Sequence, residues 1–217
     1  GRARPLTSGI IRPSMKPELN LPNTLTLIRI ALIPLFVLVF YLDYDWARPA
    51  AALIFSLAGI TDWLDGYFAR KLGQTSAFGA FLDPVADKLM VAVALVLIVN
   101  TDHRLLVALS AAVIIGREIA ISALREWMSE IGRRSHVAVS PIGKLKTIVQ
   151  ITALIMLIWK VDLLFIPMYA TGYILILVAA ALTLWSMASY LMAAWRSLEG
   201  LEIHPGEGPP EALDRPD

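Results

Sequence analysis

Apolar residues in this chain come in long blocks rather than at alternating positions, and short polar stretches separate the blocks. Six blocks can be marked, at about 22–42, 49–68, 79–100, 104–127, 145–161 and 166–195. Each is long enough, or nearly so, for a helix to cross a bilayer. The sixth is too long for one perpendicular crossing, so it tilts or emerges from the membrane. Pro34 lies inside the first block and predicts a kink there. The pattern therefore predicts an all-α integral membrane protein with six transmembrane helices. No internal repeat and no low-complexity segment interrupts it.

Composition supports that reading. Of 217 residues, 57% are hydrophobic and 17% charged, against about 25% charged in a soluble domain. Mean hydropathy is +0.66. A net charge of +1 with no dense basic tract gives no reason to expect nucleic acid as a partner. The absence of cysteine excludes disulfides and thiolate metal ligands. Residues 1–20, GRARPLTSGIIRPSMKPELN, lack the apolar core of a signal peptide. They read as a basic extension with room for a short juxtamembrane helix, and Met15 offers a start that would leave residues 1–14 outside the native chain. Residues 21–198 make up the membrane domain. Residues 199–217 are rich in Pro, Gly and acids with little to bury, so disorder is expected there.

Loop charges give the orientation. Arg2, Arg4, Arg12 and Lys16, then Arg70 and Lys71, then Arg133, Arg134, Lys144 and Lys146, then Arg196 fall on one side. The other side has only Arg48, Arg104 and Lys160, mixed with Asp43, Asp45, Asp102 and Asp162. Basic loops stay cytoplasmic. With six crossings both termini are then cytoplasmic.

One stretch breaks the apolar pattern on its cytoplasmic side. TDWLDGYFARKLGQTSAFGAFLDPVADK, residues 61–88, carries Asp62, Asp65, Asp83 and Asp87. Carboxylates near hydrocarbon are costly and call for a reason. Spacings of i, i+3 and i, i+4 put each pair on one helical face. The intervening Gly73, Gln74, Thr75 and Ser76 read as a turn that brings two antiparallel helices together. Four like charges there would raise one another's pKa unless neutralised. Two divalent ions would neutralise them, and oxygen-only ligands favour Mg²⁺ or Mn²⁺. Gly66, Ala69, Gly79 and Ala80 permit close helix approach and leave room for a bulky ligand. The competing reading pairs the aspartates with Arg70, Lys71 and Lys88, which leaves one acid unmatched and the spacing unexplained.

The pattern D-x-x-D-G-x-x-A-R-x8-G-x3-D-x3-D is met in full by Asp62, Asp65, Gly66, Ala69, Arg70, Gly79, Asp83 and Asp87. It resembles the signature of the CDP-alcohol phosphotransferases, integral membrane enzymes of phospholipid synthesis. The likeness extends through NLPNTLTLIRIALIPLFVLVFYL, GREIAISALREW and VAVSPIGKLKT and covers roughly residues 18–195. It implies a six-helix fold, a homodimer, and a site open to the cytoplasmic leaflet of the bacterial inner membrane, among membrane lipids. It also implies a reaction in which a hydroxyl of glycerol 3-phosphate attacks the β-phosphate of CDP-diacylglycerol and CMP leaves. By the same resemblance Asp62, Asp65 and Asp83 are mainly metal ligands, and Asp87 is the general base, near the second of two ions. Gly66, Arg70 and Ser76 would contact the cytidine diphosphate, and Gly79 would give it space. Asn23 and Thr24 are weaker nucleotide candidates, with helix capping as the plain alternative.

A second polar cluster follows. Arg117 and Glu118 interrupt AAVIIGREIAISAL, Arg125 and Glu126 recur eight positions later, and Lys144 and Lys146 open the fifth block. Arg117 paired to a nearby Glu is the structural reading; a phosphate pocket is the functional one. The resemblance makes Arg117, Lys144 and Lys146 the acceptor-phosphate site. Arg29 is expected to snorkel to the headgroups, and His136 to be solvated in its basic loop. Competing functions are a relative such as a cardiolipin or phosphatidylserine synthase, a membrane prenyltransferase with distant Asp motifs, and a cation channel or transporter. The transporter would spread its acids through the membrane depth, and here they sit on one side.

Overall fold

The computed structural model describes residues 21–72, 77–130, 141–163 and 165–202, and for some helical residues, among them Asp62, Asp65, Asp83 and Lys144, the backbone alone. Six α-helices occupy the described residues: α1 Leu21–Phe40, α2 Ala47–Leu72, α3 Ala77–Thr101, α4 Leu105–Glu130, α5 Pro141–Trp159 and α6 Met168–Glu202. No strand is formed among them beyond an isolated bridge between Leu163 and Ile166. Each apolar block of the sequence has become one helix. α1 is continuous through Pro34. α5 starts earlier than its apolar block, at Pro141, because proline suits the first helical position, where no backbone donor is needed. α6 continues to Glu202, so residues 199–202, expected in the tail, are helical; no proline stops the helix before Pro205. Residues 1–20, 203–217 and the loop around His136 lie outside the described residues.

The chain divides into two compact units, residues 1–97 and 98–217. In the first, α1 packs on α2. The buried positions of α1, Thr26, Arg29, Ile33, Phe36 and Phe40, recur every three or four residues and form one stripe. Across from it α2 buries Ala47, Ala51, Ala52, Phe55 and Ala58, mostly small residues that let two backbones approach. Phe36 fills the seam, its ring 5.9 Å from both Phe40 and Phe55. The Arg48 guanidinium caps this seam 3.8 Å above the Phe40 ring.

In the second unit α6 packs on both α4 and α5. Gly172 marks the tightest approach: a Cβ there would lie 3.0 Å from the Leu157 backbone nitrogen. Ala153, Leu154, Leu157 and Ile158 of α5 meet this surface with Ile176, Ala179 and Thr183 of α6, all buried.

Outer faces are apolar as well. Leu38, Ile60, Val96, Ile119, Ile148, Ile174 and Trp185 are all more than half exposed. Exposed apolar surface on this scale marks an interaction with something apolar. Helices that face hydrocarbon must also satisfy their polar groups internally. Ser56, Thr61, Ser122, Thr183 and Ser189 do so by donating to carbonyls three or four residues earlier in their own helices. Two helical stretches, Leu105–Met128 and Met168–Met192, are long and apolar enough to cross a membrane. Thr24–Phe40, Ala47–Thr61 and Leu145–Trp159 are shorter apolar helices. Trp46, Trp127 and Trp195 are exposed near helix ends, as an aromatic belt requires.

The turn between α3 and α4 is tied to α6. Asp102 is buried and accepts from Arg104 Nε at 3.0 Å and Nη2 at 2.7 Å, and from the Tyr169 hydroxyl. The Arg104 guanidinium lies 3.9 Å over the Tyr173 ring. Its hydrogen bonds hold the Asp102 carboxyl far below the usual carboxylate range, against the opposing effect of burial. A depressed pKa contributes stability above the unfolded value, near pH 4, and loses it as pH falls toward the folded value. Asp102→Asn should therefore cost on the order of 1.5–3 kcal/mol. In thermal unfolding in detergent, the gap to wild type should stay constant between pH 5 and 8 and narrow below about pH 4. A gap that widened in acid would contradict this assignment.

Candidate active site

The four aspartates fall on two consecutive helices of the first unit. Asp62 and Asp65 belong to the cytoplasmic-side half of α2 as the sequence orients it, and Asp83 and Asp87 to the first turns of α3. Both pairs thus have the helical backbone that puts residues i, i+3 and i, i+4 on one face. Asp87 is exposed, while the side chains of Asp62, Asp65 and Asp83 lie outside the described residues. Among the described residues no group of three or more His, Cys, Asp or Glu side chains is placed to hold a metal. The donor set itself, four carboxylates with no nitrogen or sulfur ligand, fits a hard divalent ion. Gly66 and Arg70 follow on α2 and Gly79 opens α3, described by backbone only; Ser76 lies outside the described residues.

Asn23 and Thr24 sit inside α1, two and three residues after its first residue. The helix begins before them, so neither is its cap. Arg29 corrects a second expectation. It is 1% exposed, packed with Thr26 on the inner stripe of α1 rather than snorkelling to headgroups.

The basic cluster belongs to the second unit and is fully formed there except for Lys144, whose side chain lies outside the described residues. α4 buries a stripe of Val107, Ala111, Ile114, Arg117 and Ile121. Arg117 thus occupies a core position in a face that is otherwise apolar but for Ser110, and is 8% exposed. Lys146, in the first turns of α5, is 2% exposed. One carboxylate oxygen serves both: Glu118 Oε1 accepts from Arg117 Nη1 at 2.9 Å and from Lys146 Nζ at 2.7 Å. Arg117 Nη2 also donates to Ser186 Oγ of α6 at 3.1 Å. Its Nε is buried and has no hydrogen-bond partner among the described residues.

Tyr190, one turn beyond Ser186, completes the arrangement. Its hydroxyl accepts from Arg125 Nη2 at 3.1 Å, and the guanidinium carbons of Arg125 and Arg117 lie 5.4 and 5.6 Å from its ring. Three cations and one acid therefore converge on the α4–α5–α6 packing, leaving an excess of positive charge suited to a compact anion. Ser186 and Tyr190 were not legible as site residues. They stand four apart in TLWSMASYLM, where hydroxyls inside an apolar run are the only signal. Gln150, buried four residues after Lys146, was missed for the same reason.

The family model described as CDP-alcohol phosphatidyltransferase matches residues 19–185, which covers all four aspartates and the whole basic cluster apart from Ser186 and Tyr190. Over 181 residues the chain is 54% identical to a CDP-diacylglycerol–glycerol-3-phosphate 3-phosphatidyltransferase of Yersinia pestis, covering 83% of this chain and 98% of that one. Proteins of the same name from Sodalis glossinidius and Escherichia coli are 55% identical over 181 residues and 56% over 177. They cover 83% and 82% of this chain, and 98% and 96% of their own lengths.

Glu118 is the neutralising group of two buried cations, which sets an order of stabilities. Glu118→Ala leaves Arg117 and Lys146 facing each other uncompensated and should cost on the order of 3–5 kcal/mol. Lys146→Met leaves the neutral Arg117–Glu118 pair and should cost less. Thermal unfolding in detergent at low salt would show Glu118→Ala as the weaker protein of the two, and the reverse order would remove Glu118 from this role.

Proposed function

The chain belongs to the CDP-alcohol phosphatidyltransferase family, and we propose that it transfers the phosphatidyl group of CDP-diacylglycerol to glycerol 3-phosphate, giving phosphatidylglycerophosphate and CMP. The observation that carries this reading is likeness over nearly the entire length of relatives bearing that activity in their name, with all eight positions of the aspartate motif intact. The second is the buried excess of positive charge at Arg117 and Lys146, which suits a phosphorylated acceptor; an uncharged alcohol would leave it unsatisfied.

In this mechanism Asp62, Asp65, Asp83 and Asp87 would hold two divalent ions, Mg²⁺ or Mn²⁺, which would supply charge neutralisation to the diphosphate and the leaving oxygen. The chain's own groups do the rest. Gly66, Arg70, Ser76 and Gly79, with Asn23 and Thr24, receive the cytidine diphosphate. Arg117, Lys144 and Lys146 hold the acceptor phosphate, and Glu118 and Ser186 fix the Arg117 guanidinium. Asp87 accepts the proton of the acceptor hydroxyl as its oxygen bonds to the β-phosphorus and the bond to CMP breaks. Phosphoryl transfer of this kind needs positioning and charge neutralisation more than covalent help.

The six helices span the bacterial inner membrane, with both termini and the site on the cytoplasmic side, following the loop charges. Residues 21–198 are the membrane domain, flanked by a basic extension and an acidic tail, and the protein acts as a homodimer among membrane lipids. A cardiolipin or phosphatidylserine synthase would use other acceptors on the same framework, and a competition of acceptors separates these readings.

Purified protein in detergent with CDP-diacylglycerol and Mg²⁺ should release CMP with glycerol 3-phosphate and not with serine or phosphatidylglycerol, and excess chelator should stop it. Asp87→Asn should lower turnover about 10²- to 10⁴-fold, the range of a general base, while binding of CDP-diacylglycerol partly survives. Near-normal turnover in that variant would take the role of base from Asp87.

A further inference from the structure

Gln150 has no place in the machinery so far. It lies four residues after Lys146 on α5, so the two share a face, and the exposure of Leu145, Thr147 and Ile148 around them confirms which face is inward. Gln150 is 5% exposed, and its Oε1 accepts no hydrogen bond among the described residues. Beyond it the same inward stripe is wholly apolar, through Ala153, Leu154 and Leu157. Packing alone would be better served by a leucine or methionine, because a buried carbonyl without a donor is destabilising.

A second unpartnered group belongs to the basic cluster that Lys146 joins, one turn from Gln150 on α5, and has the opposite sense. Among the described residues nothing accepts from the buried donor Arg117 Nε and nothing donates to the buried acceptor Gln150 Oε1. A ligand that satisfies both carries an acceptor oxygen for Arg117 and a donor for Gln150, and an anionic phosphate ester with a hydroxyl has both. One helical turn, about 6 Å of rise, separates residues 146 and 150, the scale of a three-carbon phosphate ester.

Glycerol 3-phosphate has two free hydroxyls, and the reaction tells them apart. The attacking C1 hydroxyl must give its proton to the base, so it is unavailable as a donor to Gln150. The C2 hydroxyl is spectator to the chemistry and free to donate. Resting on the reading of Arg117 and Lys146 as the acceptor-phosphate site, we propose that Gln150 is a specificity-determining residue whose Oε1 accepts a hydrogen bond from the C2 hydroxyl of the acceptor.

The test compares glycerol 3-phosphate with 3-hydroxypropyl phosphate, which keeps the phosphate and the attacking hydroxyl and lacks the C2 hydroxyl. CMP release would be measured for wild type, Gln150→Met and Gln150→Leu. Wild type should favour glycerol 3-phosphate at least about tenfold in kcat/KM, since a buried polar group left unpaired by the analogue opposes its binding. Both variants should lose that preference through a raised KM for glycerol 3-phosphate, with KM for CDP-diacylglycerol unchanged. A wild type indifferent to the C2 hydroxyl, or a folded variant that keeps the preference, would overturn the proposal. The first of these comparisons stands even if neither variant folds. Thermal stabilisation by inorganic phosphate serves as the separate check on the pocket. It should survive in Gln150→Met and disappear in Lys146→Ala; stabilisation retained in Lys146→Ala would defeat the phosphate-site reading itself, and stabilisation lost in Gln150→Met would defeat the assignment of Gln150 to the hydroxyl.

Discussion

A cation on the inner face of an apolar helix must have an anion within reach, and in the second unit that anion is Glu118. Without it, Arg117 would be a guanidinium in the middle of the α4 core stripe, and Lys146 an ammonium almost wholly removed from solvent. Because both bond the same oxygen, the carboxylate fixes α5 to α4 at one point, and Ser186 fixes α6 to the same guanidinium. The packing of three helices is thereby registered on one residue. Apolar side chains of similar volume would hold such helices together as well or better, since burying ions costs more than their attraction returns in many proteins. The cluster is therefore poorly explained by stability and well explained by something it has to bind.

The turn between α3 and α4 uses a related device without the surplus. Asp102 is matched by a single Arg104, the Tyr169 hydroxyl joins them, and Tyr173 covers the guanidinium. None of its buried side-chain polar atoms lacks a partner among the described residues, and the result is a closed clasp. In the Arg117 cluster the cations outnumber the acid, and Arg117 Nε and Gln150 Oε1 stay unsatisfied. The two polar clusters of this unit differ in that respect, and the difference supports the proposed reading of the Arg117 cluster as a binding site.

Most of the helical fold was legible because hydrocarbon-facing and core-facing positions are both apolar, so each helix reads as a block. Boundaries were not, because a helix runs on past its apolar part until a breaker intervenes, as α6 does past residue 195 and α5 does before Leu145. Arg29 misled for a related reason. A lone arginine near the end of an apolar block looks alike in sequence whether it turns outward to headgroups or inward, and only its place on the Thr26–Ile33–Phe36 stripe decides. The aspartates stood out as a candidate site because four acids in apolar surroundings have no plain structural reason. The pairing of Arg117 with a nearby Glu was legible, and Glu118 supplies it; that the same oxygen also serves Lys146 was not, because sharing requires a residue from another helix.

Charge balance finally discriminates among acceptors within the family. On the proposed reading Arg117 and Lys146 against Glu118 leave one buried positive charge in excess, and the exposed Arg125 adds a second at its edge; together they suit a phosphate monoester, which carries about −1.5 to −2 near neutral pH. A neutral polyol or an amino alcohol would leave that excess without a counter-charge. A phosphate monoester cancels it and gives Arg117 Nε an acceptor. On the proposed reading α4, α5 and α6 match the acceptor's charge, and its hydroxyl pattern is what remains for Gln150 to read.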